Sequence, residues 1–134
     1  MSGNDAFFDT NVILYALSND RGKATRSAEL MRQGGVISVQ VLNEFALVCR
    51  RKYRAEWPII GRGLRDLRES FDVVPLTLDT HVRGIELSER YQLGVYDAMI
   101  VAAAQLAGCS TLFSEDMQDG LSIGGLTIQN PFRP

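Results

Sequence analysis

The chain has 134 residues, 46% of them hydrophobic and 22% charged, a balance that excludes intrinsic disorder and a disulfide-stapled miniprotein. No apolar run approaches the roughly 20 residues that cross a bilayer, and Asp9 interrupts the apolar stretch of residues 1–17, so we predict no signal peptide. Two distant cysteines, Cys49 and Cys109, and a single histidine, His81, cannot build the usual kind of zinc site. We expect reduced thiols in a cytoplasmic protein.

The formal net charge is −2, but the charges are unevenly distributed along the chain. The segment after residue 69 is acidic, whereas a short stretch before it is strongly basic. This stretch could hold a polyanion, or it could be a solvated helix surface. Its basic residues are Arg50, Arg51, Lys52, Arg54, Arg62, Arg65 and Arg68.

Hydrophobic patterns predict short strands that alternate with helices. Buried strands are predicted at residues 6–8, 36–37, 73–74 and 111–113, and an edge strand at 126–128. Helices are predicted over residues 12–17, 23–32, 39–53, 58–70 and 96–107, with a further one that Thr77 caps. This alternation predicts an α/β domain with a mainly parallel sheet between helical layers.

Four acidic residues stand beside apolar segments, where an unpaired carboxylate is costly: Asp9, Glu44, Asp97 and Asp116. Each has a simpler interpretation. Asp9 and Asp97 could cap helices, Asp116 could belong to a turn, and Glu44 could be exposed at the margin of its helix. The carboxyl ends of parallel strands share one sheet edge, however, so the four can also converge.

Converging carboxylates with no nearby basic partner in sequence favour a divalent cation. Oxygen ligands indicate Mg²⁺ or Mn²⁺ rather than zinc. We expect helix N-terminal dipoles to keep Asp9 and Asp97 ionised for this purpose. A cation held in this way activates water and stabilises charge on a phosphoryl group, so the predicted substrate is a phosphodiester.

Four segments carry a family resemblance in their order and spacing. Residues 7–15 (FFDTNVILY) resemble the opening strand, turn and helix of PIN domains, and the other three are similar to the family's later acidic segments. The length resembles that of VapC toxins from toxin–antitoxin pairs. The three later segments are residues 41–45 (VLNEF), 96–104 (YDAMIVAAA) and 112–120 (LFSEDMQDG).

The resemblance implies a single PIN domain over residues 1–134, with the PIN-like three-layer sandwich. It also implies a homodimeric, Mg²⁺- or Mn²⁺-dependent endoribonuclease that a cognate VapB-type antitoxin inhibits. The metal-binding acids carry over as Asp9, Glu44, Asp97 and Asp116, with Asp119 as a further candidate. Thr10, Asn11 and Ser114 match supporting positions, and we interpret Glu115 as facing outward.

The resulting hypothesis is hydrolysis of RNA by a metal-activated water, which leaves 5′-phosphate and 3′-hydroxyl ends. Two alternatives stay open. The chain could be an inactive PIN-like binding module that docks through Phe45, Tyr53 and Trp57, although core or edge packing is the preferred interpretation of these aromatics. An aspartate-nucleophile phosphatase is a weaker alternative, because Asn11 stands where that class has a second aspartate. RNA-binding candidates are Arg50, Arg51, Lys52 and Arg54.

An antitoxin is expected to lay an amphipathic segment into an apolar groove. We predict that the first two helices and the arginine-rich helix form the walls of this groove, with Leu42 and Phe45 in contact with the partner.

Overall fold

A computed structural model of the chain describes residues 5–133. The segment for which we predict no signal peptide, residues 1–17, therefore lies partly outside the described residues. The chain alternates strands and helices as the hydrophobic pattern predicts. The strands are β1 (Ala6–Phe8), β2 (Val36–Ser38), β3 (Asp72–Val74), β4 (Thr111–Phe113), β5 (Ser122–Ile123) and β6 (Leu126–Gln129). The helices are α1 (Thr10–Tyr15), α2 (Arg21–Arg32), α3 (Val39–Arg51), α4 (Trp57–Ser70), α5 (Leu78–Tyr91) and α6 (Val95–Leu106).

The six strands form one sheet in the order β3-β2-β1-β4-β6-β5. All pairings are parallel except that of β5 with β6, which is antiparallel. The prediction that β6 is an edge strand is therefore wrong. The two-residue strand β5 covers that edge, and it is too short to leave a hydrophobic pattern in the sequence.

Helices flank the sheet, as predicted for this α/β fold. α5 packs against α6, α3 against α4, and α1 against α2. Strand side chains such as Phe7, Ile37 and Leu112 are fully buried. Every residue from 98 to 104 of α6 is also buried, since small apolar side chains allow this helix to lie within the core.

Three expectations about individual side chains are tested by burial. Both cysteines are buried, and burial raises the pKa of the Cys109 thiol to about 11. Phe45 is core, as preferred, and packs against Gly63 of α4, so it cannot line a groove for a partner. Tyr53 and Trp57 are 44% and 60% exposed, so packing does not explain either of them.

Of the helices within residues 5–133, none has the length and apolar character needed to cross a membrane.

Gly35, immediately before β2, offers a stability prediction. A Cβ here would lie 2.7 Å from the carbonyl oxygen of Ala6 and 2.8 Å from the Phe8 ring. Since backbone cannot give way cheaply, Gly35→Ala should lower the free energy of unfolding by about 1–3 kcal/mol.

The matched control for Gly35 is Gly61→Ala at an exposed position of α4, where a Cβ meets nothing within 4 Å. It should raise stability by about 0.5–1 kcal/mol, because alanine restricts the unfolded chain more than glycine does. Urea denaturation of both variants measures the difference, and equal effects would contradict the packing argument.

Candidate metal centre

The four predicted acids reach the same region from separate elements. Asp9 directly follows β1, and Asp116 lies in the loop after β4, the parallel neighbour of β1. Glu44 is on α3, and Asp97 is in the first turn of α6. Electrostatic repulsion connects Asp9 with Asp97 and Glu44, and Asp97 with Glu44 and Asp116. The structure therefore places all four in one acidic cluster.

Asp9 is the most buried of the cluster, with 5% of its surface exposed. Its Oδ1 accepts a hydrogen bond from the Thr10 backbone N–H at 2.7 Å, and its Oδ2 accepts one from the Ser114 hydroxyl at 2.7 Å. It is the N-cap of α1, so the capping interpretation is correct for this residue. The Asp9 carboxylate therefore caps α1 and also belongs to the acidic cluster.

Burial changes the protonation of the cluster. Desolvation raises the pKa of Asp9 from 3.8 to about 7, against the hydrogen bonds from Ser114 and Thr10, and repulsion from Asp97 and Glu44 adds to the rise. Burial, with repulsion from Glu44 and Asp116, also raises the pKa of Asp97. The expectation that a helix dipole keeps Asp9 ionised is therefore wrong, because desolvation and like charges outweigh the dipole and bring the pKa of this carboxyl to about 7. For Asp97 the same expectation stays a prediction.

Asp97 is not a helix cap, since Gly94 is the N-cap of α6. Asp97 lies three residues further on and is half-buried. Its only described charged neighbours are acidic, and no hydrogen bond stabilises its charged form. The capping interpretation is wrong for this residue, so nothing in the local fold requires an aspartate here.

Three polar side chains hold the acids in place. The Thr10 hydroxyl donates to Glu44 at 2.5 Å, and the Ser114 hydroxyl donates to Asp9. The Asn11 side-chain amide donates to Asp116 at 2.9 Å, while its carbonyl oxygen accepts from the Glu115 backbone N–H at 3.3 Å. These contacts match the supporting positions assigned from sequence to Thr10, Asn11 and Ser114.

Two neighbouring acids have other partners. Asp119 accepts a hydrogen bond from the backbone of Asn130 at 2.7 Å and lies 3.8 Å from Arg133, so its contacts hold the C-terminal segment. Glu115, interpreted from sequence as facing outward, forms an ion pair with Lys23 and accepts a hydrogen bond from the Tyr15 hydroxyl. Lys23 comes from another helix, a contact that sequence spacing does not reveal.

The donor set fits a hard divalent cation. No Lys or Arg within residues 5–133 forms an ion pair with any of the four acids. No group of three or more His, Cys, Asp or Glu side chains in that range is gathered closely enough to enclose a metal by itself. Mg²⁺ is commonly bound through one or two carboxylates, with water and substrate phosphate completing the shell. An open, carboxylate-rich site with unbalanced negative charge has this character.

The predicted RNA-binding residues lie at the end of α3 and just beyond it. Arg50 donates to the Ala55 carbonyl at 3.0 Å and stacks over Trp57, so it also stabilises the turn. Arg51, Lys52 and Arg54 are exposed. Lys52 shares a recess with Asp116, which places one of these cations beside the acidic cluster.

The parallel strands β1 and β4 thus bring Asp9 and Asp116 to one edge of the sheet of an α/β protein. The family model of the PIN domain matches residues 6–118. The chain belongs to the PIN domain family, as its four acidic segments indicate. No curated protein sequence matches it significantly.

Solved structures with similar folds include toxins of toxin–antitoxin pairs. A toxin–antitoxin complex from Klebsiella pneumoniae has 25% identity and a TM-score of 0.72, over 94% of this chain and 97% of that one. VapC20 of Mycobacterium tuberculosis, described as a sarcin–ricin loop cleaving toxin, has 17% identity and a TM-score of 0.69, over 83% and 89%. DNA-bound VapBC from Salmonella typhimurium has 18% identity and a TM-score of 0.69, over 96% and 98%. These matches confirm the resemblance to VapC-type toxins.

Proposed function

We propose that this protein is a metal-dependent endoribonuclease and the toxin of a VapBC-type toxin–antitoxin pair. The observation that carries the proposal is the acidic cluster, in which four carboxylates repel one another without a basic counter-ion among the described residues. The relation to VapC20, a toxin described as cleaving RNA of the sarcin–ricin loop, supports RNA as the substrate.

Asp9, Glu44, Asp97 and Asp116 would hold Mg²⁺ or Mn²⁺. When bound, such a cation lowers the pKa of a water molecule and neutralises charge on a phosphoryl oxygen. Asp119 would act only through water, since its carboxylate already binds the C-terminal segment. The fold partly desolvates Asp9 and Asp97, which strengthens their electrostatic attraction for a bound cation.

The other residues of the site position the acids and the RNA. Thr10 fixes Glu44, Ser114 fixes Asp9, and Asn11 restrains Asp116, which keeps three of the four carboxylates in defined orientations. Arg51, Lys52 and Arg54, with Arg50, would bind backbone phosphates that flank the cleaved bond. The acidic side chains would thus hold the metal, and the basic side chains would orient the RNA.

The direct test is cleavage of total RNA by the purified, antitoxin-free protein with Mn²⁺, with Mg²⁺ and with excess chelator. Discrete fragments that require metal and carry 5′-phosphate ends are the expected result. Absence of cleavage with either metal, on RNA from the protein's own host, would support the inactive binding module instead. Cleavage that survives the chelator would contradict metal dependence.

Two protein partners belong to the proposal. The similar complexes from Klebsiella pneumoniae and Salmonella typhimurium contain a toxin with its antitoxin or a VapBC pair, which supports a VapB-type antitoxin here. A basic antitoxin side chain that enters the acidic cluster would neutralise it and block the site. The homodimer is carried over from the family resemblance alone.

Asn11 provides a test of positioning. Asn11→Ala removes the hydrogen bond to Asp116 and the one accepted from the Glu115 backbone. Loss of an outer-shell partner of this kind lowers metal affinity or activity by about 10- to 100-fold. Metal-dependent cleavage rates for this variant and for Asn19→Ala, a control in an exposed loop, should therefore differ by that factor. Equal rates would show that Asp116 needs no such restraint.

A further inference from the structure

Two recesses adjoin the acidic cluster, and the roles proposed for the acids do not explain them. The first, here called the Tyr53 recess, has a volume of about 240 Å³ and includes Leu14, Val48, Lys52, Tyr53 and Asp116 in its walls. The second, the Tyr96 recess, has a volume of about 290 Å³ and is lined by Gln40, Asn43, Glu44, Leu47 and Tyr96. Each recess therefore has one acid of the cluster as a wall and opens from it.

Each recess also presents an exposed aromatic ring. Tyr53 is 44% exposed, and Tyr96 is 67% exposed. Leu47, beside Tyr96, is 47% exposed. A contiguous exposed apolar patch with a polar rim marks a binding site, and Leu47 and Tyr96 line one recess together with the polar side chains of Gln40, Asn43 and Glu44. Neither ring has a described stacking partner among aromatic residues. The Lys52 ammonium lies over one face of the Tyr53 ring, 5.6 Å from its centre, so a planar ligand there would stack on the opposite face.

The geometry points to one nucleobase in each recess, so that single-stranded RNA crosses the acidic cluster with a base on either side of the cleaved phosphodiester. This inference deepens the proposed function and rests on it for the position of the phosphate. The rings of Tyr53 and Tyr96 would stack on the bases, as aromatic side chains do in proteins that bind single strands.

Size and polarity favour this occupant over a protein segment. Pockets for drug-sized ligands hold about 300–1,000 Å³, and these recesses lie below that range, which suits a fragment such as one base. The recesses share no lining residue and each includes an acid of the cluster, Asp116 in one and Glu44 in the other, whereas an amphipathic helix needs a continuous apolar groove. The Lys52 ammonium beside Tyr53 offers a counter-charge for a phosphate, which an apolar segment would not need.

The Tyr96 recess contains groups that can read a base edge. Gln40 and Asn43 carry amides, which pair with base donors and acceptors in unstacked RNA. The Gln40 amide donates to Glu44 at 3.1 Å, so its position is defined from the cluster side. The Tyr53 recess includes Asn11, but the amide nitrogen of this residue donates to Asp116 and its carbonyl oxygen accepts from the Glu115 backbone. We therefore expect base preference to come more from the Tyr96 recess.

Binding without cleavage is the first arm of the test. In an Asp97→Asn background, fluorescence anisotropy measures the affinity for a short mixed-sequence single-stranded RNA and for the matching duplex. Tyr53→Ala and Tyr96→Ala should each weaken single-strand binding roughly tenfold. Tyr53→Phe and Tyr96→Phe, which keep the ring, should restore it. Leu78→Ala, at a 76% exposed position on α5, is the surface control. Equal effects of the alanine and phenylalanine variants would overturn the inference.

Cleavage is the second arm. An abasic site is moved along the RNA one nucleotide at a time, and kcat/KM is measured for each substrate. The inference predicts two sensitive positions, one on each side of the cleaved bond, and each should lose its sensitivity in only one of the two alanine variants. A uniform profile, or sensitivity that persists in both variants, would contradict it. If the protein cleaves no RNA, the proposed function fails, while the binding arm still decides the question of the recesses.

Discussion

Asp97→Asn is expected to lower metal-dependent RNA cleavage by at least about a hundredfold, with no loss of stability. The asparagine keeps the size and the polar character of the side chain. It removes the charge that would attract a cation, and it also removes repulsion from Glu44 and Asp116, which raises the pKa of Asp97 in the native protein. Activity and stability should therefore change in opposite directions.

The matched control for this substitution is Asp79→Asn, which changes an exposed aspartate in the first turn of α5. This variant should keep full activity and lose only the small stabilisation of an acid at a helix N-terminus, about 0.3–1 kcal/mol. Single-turnover cleavage and thermal denaturation of both proteins provide the comparison. Full activity in Asp97→Asn would remove this residue from the metal centre.

Asp9→Asn should stabilise the protein at pH 8 while it abolishes cleavage. The native pKa of Asp9 is about 7, against 3.8 for an ordinary aspartate, a difference equivalent to roughly 4 kcal/mol. Asparagine avoids this cost because it is never ionised. It can still accept from the Thr10 N–H, and its amide can donate to the Ser114 hydroxyl.

The pH dependence follows from the same pKa. Below pH 3.8 Asp9 is protonated in both the native and the unfolded protein. Between about pH 4 and 7 only the native protein keeps the proton, so stability contributed by this group falls as the pH rises. Above about pH 7 the full cost is present and no longer changes. The contribution of Asp97 has the same sign, because its pKa is also raised.

Urea denaturation at pH 5 and pH 8 measures this effect in the parent protein and in Asp9→Asn. The variant's advantage should be larger at pH 8, and Mn²⁺ should stabilise the parent but not the variant, because a bound cation offsets the ionised carboxylates. Asp66→Asn, at an exposed position of α4, serves as the control. A variant that is less stable than the parent at pH 8 would show that hydrogen bonding by the Asp9 carboxylate outweighs its burial.

The sequence predicts most of the fold because its signals are local. Apolar runs mark β1 and β4, and Ser38 and Thr77 cap α3 and α5 through their side chains. Predicted and observed helix bounds differ by about two residues at several ends, because capping contacts rather than hydrophobic periodicity determine where a helix begins and ends. β5 was missed because a two-residue strand exists only through its pairing with β6.

The proximity of Asp9 and Asp116 was also predictable, because parallel topology brings the ends of β1 and β4 to a common edge, whereas Glu44 and Asp97 reach the cluster from helices. The protonation of these acids was not predictable, since it depends on burial depth and on distances between elements that are far apart in sequence. The same holds for the contact of Glu115 with Lys23 and for the exposure of Tyr53. Tyr96 precedes Asp97 in the quoted segment, but only the structure shows that its ring is largely exposed beside Glu44.

A titration with Mn²⁺ at pH 8 tests the central claim that the acidic cluster is a metal centre. The electron paramagnetic resonance signal of the free ion measures how much Mn²⁺ each protein binds. The account predicts saturable binding by the parent protein, strong weakening in Asp97→Asn and Asp9→Asn, and no change in Asp79→Asn. Equal binding by all four proteins, or none by the parent, would contradict it.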